Sequence, residues 1–335
     1  MNELISNTKS ESCAGVVIGR NEGSRLVRCL KSLLSSLSTI VYVDSGSTDG
    51  SVDKAKSLGV TVIQLDLTIP FTAARARNEG ANYLLQKYPD IKVIQFIDGD
   101  CEIQKDWLHK AESFLDENNE YAVVCGRRRE RFPERSIYNQ LCDIEWNTPA
   151  GDAAACGGDA LIRTDAFRQV NGYRDDLIAG EEPEMCFRLR EKGWKIYRLD
   201  EEMTLHDAAI TKFLQWWNRA KRAGYAYASL SFLHGTSSES FKVKEVVSIL
   251  LWGGVLPVLV VFLSTLHLGA FFLLLLYPLQ ICRLTLKFKS LNKPKTVTIS
   301  YAVSTVIAKF PQFVGIMKFA VNRLLGDDAH IIEYK

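Results

Sequence analysis

The chain has 335 residues, enough for one large domain or two ordinary ones. Its 41 lysine and arginine residues nearly balance its 39 aspartate and glutamate residues, which argues against a general nucleic-acid binder. The eight cysteines are scattered singly without zinc-ligand spacing, and the polar start MNELISNTKSES lacks the apolar core of a signal peptide. We therefore expect the soluble part in the cytosol, with reduced thiols.

Apolar, β-rich runs alternate with helical patterns over the first 125 residues. The predicted strands are residues 14–19, 40–44, 60–65, 92–98 and 121–126, and the predicted helices are residues 24–37, 51–58, 72–86 and 106–118. This alternation predicts an α/β fold with a mostly parallel sheet flanked by helices. Ligands of such sheets bind beyond the carboxyl ends of the strands. Polar segments follow three of the predicted strands, namely RNE (20–22), DSGSTDG (44–50) and DGD (98–100).

The segment FIDGDCE places Asp98, Asp100 and Glu102 directly after an apolar strand. Carboxylates this close repel each other unless a positive group lies between them. The pattern therefore predicts either a bound cation at this strand end or a turn with solvated aspartates.

The pattern from residue 127 to 206 is irregular and begins with the basic run GRRRERFPERS, either a solvated loop or a site for anionic groups. Further on, residues 184–192 form an amphipathic pattern typical of a short helix. Glu181 and Glu182 stand just ahead of its predicted start, and Pro183 suits its first turn. A helix N-terminus favours the charged form of these carboxylates.

Residues 246–282 contain no Asp, Glu, Lys or Arg. One spanning helix needs roughly 20 apolar residues, so the run predicts two short membrane helices, about 246–264 and 268–283. Basic residues on both flanks place both ends in the cytoplasm. A buried helical hairpin of a soluble domain is the alternative. A third apolar stretch, about 296–318, is predicted to be interfacial or re-entrant.

Six segments resemble, in order and spacing, the family 2 glycosyltransferases, which have the GT-A nucleotide-sugar fold. They are VVIGRNEGSRLVRCLKSL, VYVDSGSTDGS, ARARNEG, FIDGD, GGDALIR and GEEPEMCFRLREKGW. Each segment is weak alone, and the set is specific. The resemblance covers roughly residues 14–235 and implies a catalytic GT-A domain (13–235). Composition predicts the polar tail (1–12) before it and the membrane region (236–335) after it.

The resemblance also implies a divalent metal, Mg²⁺ or Mn²⁺, between the aspartates and the donor diphosphate. The residues expected at the metal are Asp100, Asp98 and His206, with Asp100 favoured as the direct ligand and Asp98 nearer the ribose. A hard cation of this kind takes oxygen ligands and neutralises charge as the nucleoside diphosphate leaves. The residues expected near the nucleotide sugar are Glu22, Asp44, Arg77, Asn78 and Asp98.

The resemblance places the catalytic base in the acidic pair before the amphipathic helix. Many family members read Glu-Asp there, whereas this chain reads Glu181-Glu182. Glu182 is the predicted base and Glu181 the alternative. The residues expected to contact the acceptor are Gly158, Asp159, Trp216 and Trp217, although the tryptophans equally suit packing.

Together these features predict an inverting hexosyltransferase-like enzyme that takes a UDP-, GDP- or dTDP-linked sugar. Its acceptor is expected to be a lipid-linked or membrane-associated glycan of envelope polysaccharide synthesis, at the inner (cytoplasmic) membrane with the catalytic domain in the cytoplasm. One alternative is a polyprenyl-phosphate glycosyltransferase, whose acceptor is already an anion. Another is an inactive membrane scaffold. A sugar nucleotidyltransferase is disfavoured because GRNEGSR is not its glycine-rich phosphate loop.

Overall fold

The computed structural model describes residues 10–326. They fall into two compact units, residues 10–135 with 142–209 and residues 136–141 with 210–326.

The first unit is built on a nine-stranded sheet in the order β3-β2-β1-β4-β8-β6-β9-β5, with β7 paired to β9. The strands are β1 (Cys13–Gly19), β2 (Ile40–Asp44), β3 (Thr61–Gln64), β4 (Val93–Asp98), β5 (Cys101–Ile103), β6 (Tyr121–Glu130), β7 (Gly151–Asp152), β8 (Ala160–Arg163) and β9 (Lys195–His206). Strands β3, β2, β1 and β4 are parallel, as predicted. The sheet as a whole is mixed, because β8 runs antiparallel to both β4 and β6.

Helices of the first unit pack apolar side chains against the sheet. The helices up to residue 191 are α1 (Ser24–Leu34), α2 (Ser51–Ser57), α3 (Ala73–Lys87), α4 (Trp107–Glu117), α5 (Ile137–Glu145), α6 (Thr164–Gln169) and α7 (Glu181–Glu191). The start of α5 belongs to the second unit. Helix α1 buries Leu26, Cys29, Leu30 and Leu33, the i, i+3, i+4, i+7 positions of one helical face. Strand β1 is buried along nearly its whole length, as expected for a central parallel strand.

Two local predictions were wrong. Strand β6 continues through Arg127–Glu130, which the sequence suggested to be irregular, because this end pairs with β9. Helix α7 begins at Glu181, three residues before its predicted start. Gly180 precedes it in the left-handed conformation with φ 85°, and Pro183 is tolerated because first-turn N–H groups have no partner within the helix.

The second unit is helical and contains three helices long and apolar enough to cross a membrane. Its elements are α8 (Phe213–His234), α9 (Val243–Ile249), α10 (Leu256–Ser264), α11 (Leu276–Lys287), α12 (Lys295–Ile307) and α13 (Lys309–Leu325). A π-helical segment, Leu250–Val255, joins α9 and α10 into one helix over Val243–Ser264. The other two candidate spans are Leu268–Leu291 and Lys295–Leu325, and the latter covers the stretch that the sequence left as interfacial or re-entrant.

Glycines allow close helix packing in the second unit. A Cβ added to Gly224 of α8 would lie 2.0 Å from the carbonyl oxygen of Gln312, and one added to Gly315 of α13 would lie 2.0 Å from that of Lys221. The backbones of α8 and α13 therefore touch at these two points, where no larger residue fits.

Candidate active site

The polar segments that follow the strands meet at one edge of the sheet. Gly19 of β1 is in register with Asp44 of β2, and Ile18 with Asp98 of β4. The three strands therefore end side by side, and the residues after them share the carboxyl edge where such sheets bind ligands.

Arg77 joins three of the predicted site residues. Its Nη2 lies 2.8 Å from Asp98 Oδ1, its Nη1 lies 2.8 Å from Glu181 Oε1, and Glu182 Oε1 is 4.0 Å away. The guanidinium is almost fully buried and lies 5.5 Å from the ring centre of Tyr173. Arg77 is thus a positive partner of the strand-end aspartate and links it to the start of α7.

Arg128 is a second positive partner of Asp98. Its Nη2 lies 3.3 Å from Asp98 Oδ2 and 2.8 Å from Asp159 Oδ2. Burial on its own would raise the pKa of Asp98, but Arg77 and Arg128 outweigh burial and hold it below the usual value of an aspartate. Asp98 is therefore ionised and held between two arginines.

Glu181 and Glu182 differ in environment although they are adjacent. Glu181 is buried against Arg77, whereas the Glu182 side chain keeps 18% of its surface exposed. Burial and, to a smaller extent, the charge of Glu181 raise the pKa of Glu182 to about 7, although Arg77 lowers it. A carboxyl group with this pKa can exchange a proton near neutral pH, as general acid–base catalysis requires.

Asp100 and His206 form a close pair beside this cluster. Asp100 Oδ2 lies 3.2 Å from His206 Nε2, and both side chains are buried. The pair arises because β5 and β9 are antiparallel, with Cys101 in register with His206. In an octahedral Mg²⁺ site, two neighbouring ligand atoms lie roughly 3 Å apart. The separation of Asp100 Oδ2 and His206 Nε2 therefore suits two ligands of one metal ion. The next residue, Asp207, has a buried Oδ1 that finds no hydrogen-bond partner among residues 10–326. A cation bound nearby would stabilise this oxygen.

The remaining residues predicted near the donor make contacts of their own. Asp44 is fully buried and accepts hydrogen bonds from Tyr42 Oη at 2.8 Å and from the N–H groups of Gly46 and Ser47 at 3.0 and 2.8 Å, so it organises the turn after β2. Glu22 lies at the same edge, 2.7 Å from an arginine of α1.

The Asn78 side chain lies apart from the carboxylate cluster. Its Nδ2 donates to Tyr173 O and to Asp175 Oδ1, both at 2.7 Å, and its Oδ1 accepts from the Tyr173 N–H at 2.9 Å. Asn78 therefore holds the loop that carries Tyr173 in place.

Of the residues predicted to contact the acceptor, two lie in the cluster. Asp159 is fully buried and forms an ion pair with Arg128. It accepts hydrogen bonds from the Thr204 hydroxyl at 2.8 Å and from the Asp98 N–H at 3.0 Å, so it helps to position Asp98. Gly158 lies so close that an added Cβ would be 2.9 Å from both Arg77 Nη2 and Asp98 Oδ2.

The two predicted tryptophans lie on α8, in the second unit. Trp216 is buried, with its ring centre 6.1 Å from that of Tyr138, and Trp217 lies 5.7 Å from Phe213. Packing thus accounts for the contacts of Trp216.

Sequence reasoning missed Tyr173 and Thr204 as members of this site, and it named Arg128 only as one of several arginines that could meet an anionic group, not as a partner of Asp98. Arg128 sits in a run of charged residues, which usually indicates a solvated loop. The signal that could have found it is the alternation of a strand, which directs Arg128 and Glu130 to one face and Arg127 and Arg129 to the other.

A basic cleft of about 550 Å³ opens next to Asp207 in the first unit. Its lining residues are Glu22, Ser24, Arg25, Arg28, Arg131, Phe132, Arg135 and Asp207. Four arginines face two carboxylates, so the lining has a net positive charge. The Asp207 N–H donates to Asp100 O at 3.1 Å, which connects the cleft to the Asp100–His206 pair. A phosphate or diphosphate suits such a lining.

This geometry agrees with the family comparison. Residues 16–169, somewhat under half of the chain, match the family model Glycosyl transferase family 2, the family that the motifs predicted. The chain is 21% identical over 201 residues to Glycosyltransferase AglE of Haloferax volcanii, covering 56% of this chain and 64% of that protein. It is 26% identical over 201 residues to Succinoglycan biosynthesis protein ExoA of Rhizobium meliloti, covering 54% and 58%. The matched region is thus less than two thirds of either relative.

Solved structures confirm the predicted GT-A fold. The mannosyltransferase PcManGT from Pyrobaculum calidifontis, in complex with GDP-Man and Mn²⁺, superposes with a TM-score of 0.58 at 17% identity, over 94% of this chain and 87% of that one. Residues 1–349 of TarS from S. aureus superpose with a TM-score of 0.51 at 15% identity, over 90% and 92%.

Proposed function

We propose that the protein is an inverting glycosyltransferase that moves a sugar from a nucleotide-sugar donor to a membrane-associated glycan or glycolipid in polysaccharide biosynthesis. One observation carries the proposal. Glu182, a partly exposed carboxyl group, lies 4.0 Å from Arg77, the arginine that also holds Asp98, at the ligand-binding edge of a domain that resembles family 2. The descriptions of AglE and ExoA, one a glycosyltransferase and the other a succinoglycan biosynthesis protein, support the same process.

Glu182 is the proposed base, and Glu181 is the residue that positions Arg77. A base must reach the acceptor hydroxyl, and Glu182 is the more exposed of the two. Its carboxylate accepts the hydroxyl proton as the acceptor oxygen attacks the anomeric carbon from the face opposite the leaving diphosphate. One glycosidic bond forms, the bond to the diphosphate breaks, and the configuration at the anomeric carbon inverts.

Asp100 and His206 are the proposed metal ligands. A carboxylate and an imidazole form an O/N donor pair, which suits Mn²⁺ better than Mg²⁺, a cation that strongly prefers oxygen. The Mn²⁺ in the PcManGT complex is consistent with this choice. When bound, the metal would neutralise the leaving diphosphate. Asp98 is already held by Arg77 and Arg128, so we assign it to orienting the donor.

Membrane attachment is proposed through the second unit. Three helices are apolar enough to cross a bilayer, and Leu266, Leu268 and Phe272 expose 73%, 76% and 76% of their surfaces. Surfaces of this kind are stable in lipid and unfavourable in water. The basic flanks favour the cytoplasmic side of the inner membrane for the first unit.

A donor screen tests the proposed function. Detergent-solubilised full-length protein is incubated with UDP-, GDP- and dTDP-sugars, Mn²⁺ and a membrane-lipid extract, and nucleoside diphosphate release is measured. We expect one nucleotide class to dominate and release to stop in excess chelator. A protein that releases no nucleotide from any donor, yet binds membranes normally, would be a scaffold and not an enzyme.

The basic cleft favours a second candidate function, transfer to a lipid phosphate. Such an acceptor arrives as an anion and needs no base, and Arg28 and Arg135 could hold its phosphate.

The Arg135→Gln variant separates the two candidate functions. Under the first function, we expect its KM for a sugar-hydroxyl acceptor to remain near the wild-type value. Loss of a charge-assisted contact to a phosphate acceptor would instead raise the acceptor KM roughly tenfold or more. Arg168→Gln, an exposed change on α6, is the matched control. Steady-state kinetics with donor and acceptor varied separately decide between the two.

A further inference from the structure

A small cavity with a mixed polar and apolar lining lies among the apolar helices of the second unit. Its volume is about 150 Å³, roughly five times the share of liquid volume that one water occupies. The residues that line it are Ser248, Trp252, Gln280, Leu284, Thr305, Val306 and Lys309. Each of the three candidate membrane helices contributes to this lining.

Two helix irregularities meet at this cavity. Trp252 lies in the π-helical segment Leu250–Val255. Lys309 lies at the break between α12 and α13, two residues before Pro311, whose ring prevents a regular helix. A Cβ added to Gly253 would lie 2.2 Å from the Lys309 carbonyl oxygen, so the two irregular segments touch. Such interruptions of apolar helices are frequent at functional sites.

The Lys309 ammonium makes no direct ion pair inside the described part of the unit. None of the residues lining the cavity is acidic. Glu245 is within electrostatic reach but is paired with Lys242 at 3.2 Å. An ionisable residue inside a candidate membrane helix is costly and typically marks a ligand site.

The lining is rich in hydrogen-bond donors. Lys309 offers three N–H donors, the Trp252 indole can only donate, and Gln280 and Ser248 can each donate. Thr305 already donates to Tyr301 O at 2.7 Å. A cation surrounded by donors and apolar side chains selects a compact anion with several acceptor oxygens.

We propose that this cavity binds the phosphate group of an anionic membrane lipid, with Lys309 as its ion-pair partner. A lipid is the proposed source because the surrounding helices expose apolar side chains along which its hydrocarbon chains can lie. Leu251, Leu279 and Leu286 are 49%, 63% and 62% exposed. This inference rests on the proposed membrane attachment of the second unit. It does not rest on the proposed transfer reaction, so failure of one can be told from failure of the other.

Native mass spectrometry of the full-length protein tests the proposal. The protein is released from nanodiscs of phosphatidylcholine prepared with and without phosphatidylglycerol. We expect one phosphatidylglycerol to remain bound at collision energies that strip phosphatidylcholine. Lys309→Met should lower the occupancy roughly tenfold or more, because it removes a charge-assisted contact. Lys309→Arg should retain the lipid, and Lys318→Met, on the same helix but outside the cavity, should match wild-type.

Three results would overturn this inference. Equal retention of the two lipids by wild-type protein would show that the phosphate charge is not recognised. Normal retention by Lys309→Met would exclude Lys309 as the partner. Retention of inorganic phosphate without any lipid preference would identify free phosphate as the ligand. If Lys309→Met does not fold, the comparison of the two lipids on wild-type protein still decides the question.

Discussion

Replacing Asp100 by alanine is expected to remove most sugar transfer. The variant loses one of two proposed metal ligands and leaves His206 without its partner at 3.2 Å. A bound metal supplies several kcal/mol of charge stabilisation to the departing diphosphate, so we expect a loss of about 10²-fold or more. Mn²⁺-dependent binding of the donor should weaken in parallel, as measured by calorimetry with the intact nucleotide sugar.

The matched control is Asp116→Ala, an exposed change on α4 that should leave both readouts unchanged. The metal assignment is wrong if wild-type protein transfers sugar equally well in excess chelator. It is also wrong if Asp100→Ala loses activity while Mn²⁺ still enhances donor binding as in wild-type.

The parallel half of the first unit was predictable because its strands are short apolar runs bounded by polar turns. Strand β2 was predicted at its observed bounds, and β1, β3 and β4 within one residue. The same runs end in polar segments, and parallel register alone brings Asp44 and Asp98 to one edge. The local sequence pattern was sufficient to locate these strands, because strands buried on both faces are continuous apolar runs that differ clearly from the polar turns around them.

The partners of the site residues could not be predicted in the same way. Arg77 and Glu181 are 104 positions apart, and Arg128 and Asp98 are 30 apart, so no local pattern pairs them. The two arginines next to Asp98 come from distant parts of the chain, so the sequence did not predict them as its partners. The predicted start of α7 was three residues too late because Pro183 was taken to mark the helix start. In the structure Gly180 is the N-cap, and the helix begins at Glu181.

The difference between Glu181 and Glu182 also depends on tertiary structure. Both are glutamates at the start of one helix, and their sequence context is nearly the same. Only the fold makes one the partner of Arg77 and leaves the other partly exposed with a pKa of about 7. The pair thus separates into a positioning residue and a proposed base.

Glu182→Gln is expected to lower the single-turnover rate of transfer by about 10²–10⁴-fold, the usual contribution of general-base catalysis. Glutamine keeps the size of the side chain but cannot accept the hydroxyl proton, so donor affinity should hardly change. In wild-type protein kcat/KM should rise with pH up to about 7 and then level, because Glu182 must be deprotonated to act. The variant should lack this rise. Single-turnover measurement prevents slow release of a lipid product from masking the chemical step.

Protein stability provides the control for folding. The pKa of Glu182 is raised from 4.5 to about 7 in the folded protein. The contribution of this carboxyl group to the free energy of unfolding is therefore fully present below pH 4.5 and is lost as the pH rises through 7. At pH 8 the variant should therefore melt at the same temperature as wild-type or higher, even though it is nearly inactive. Glu191→Gln, at the exposed end of the same helix, should change neither activity nor melting temperature. An active Glu182→Gln together with an inactive but folded Glu181→Gln would reassign the base to Glu181. If both variants stay active while Asp100→Ala is inactive, the acceptor arrives already ionised, and transfer to a lipid phosphate becomes the function of this site.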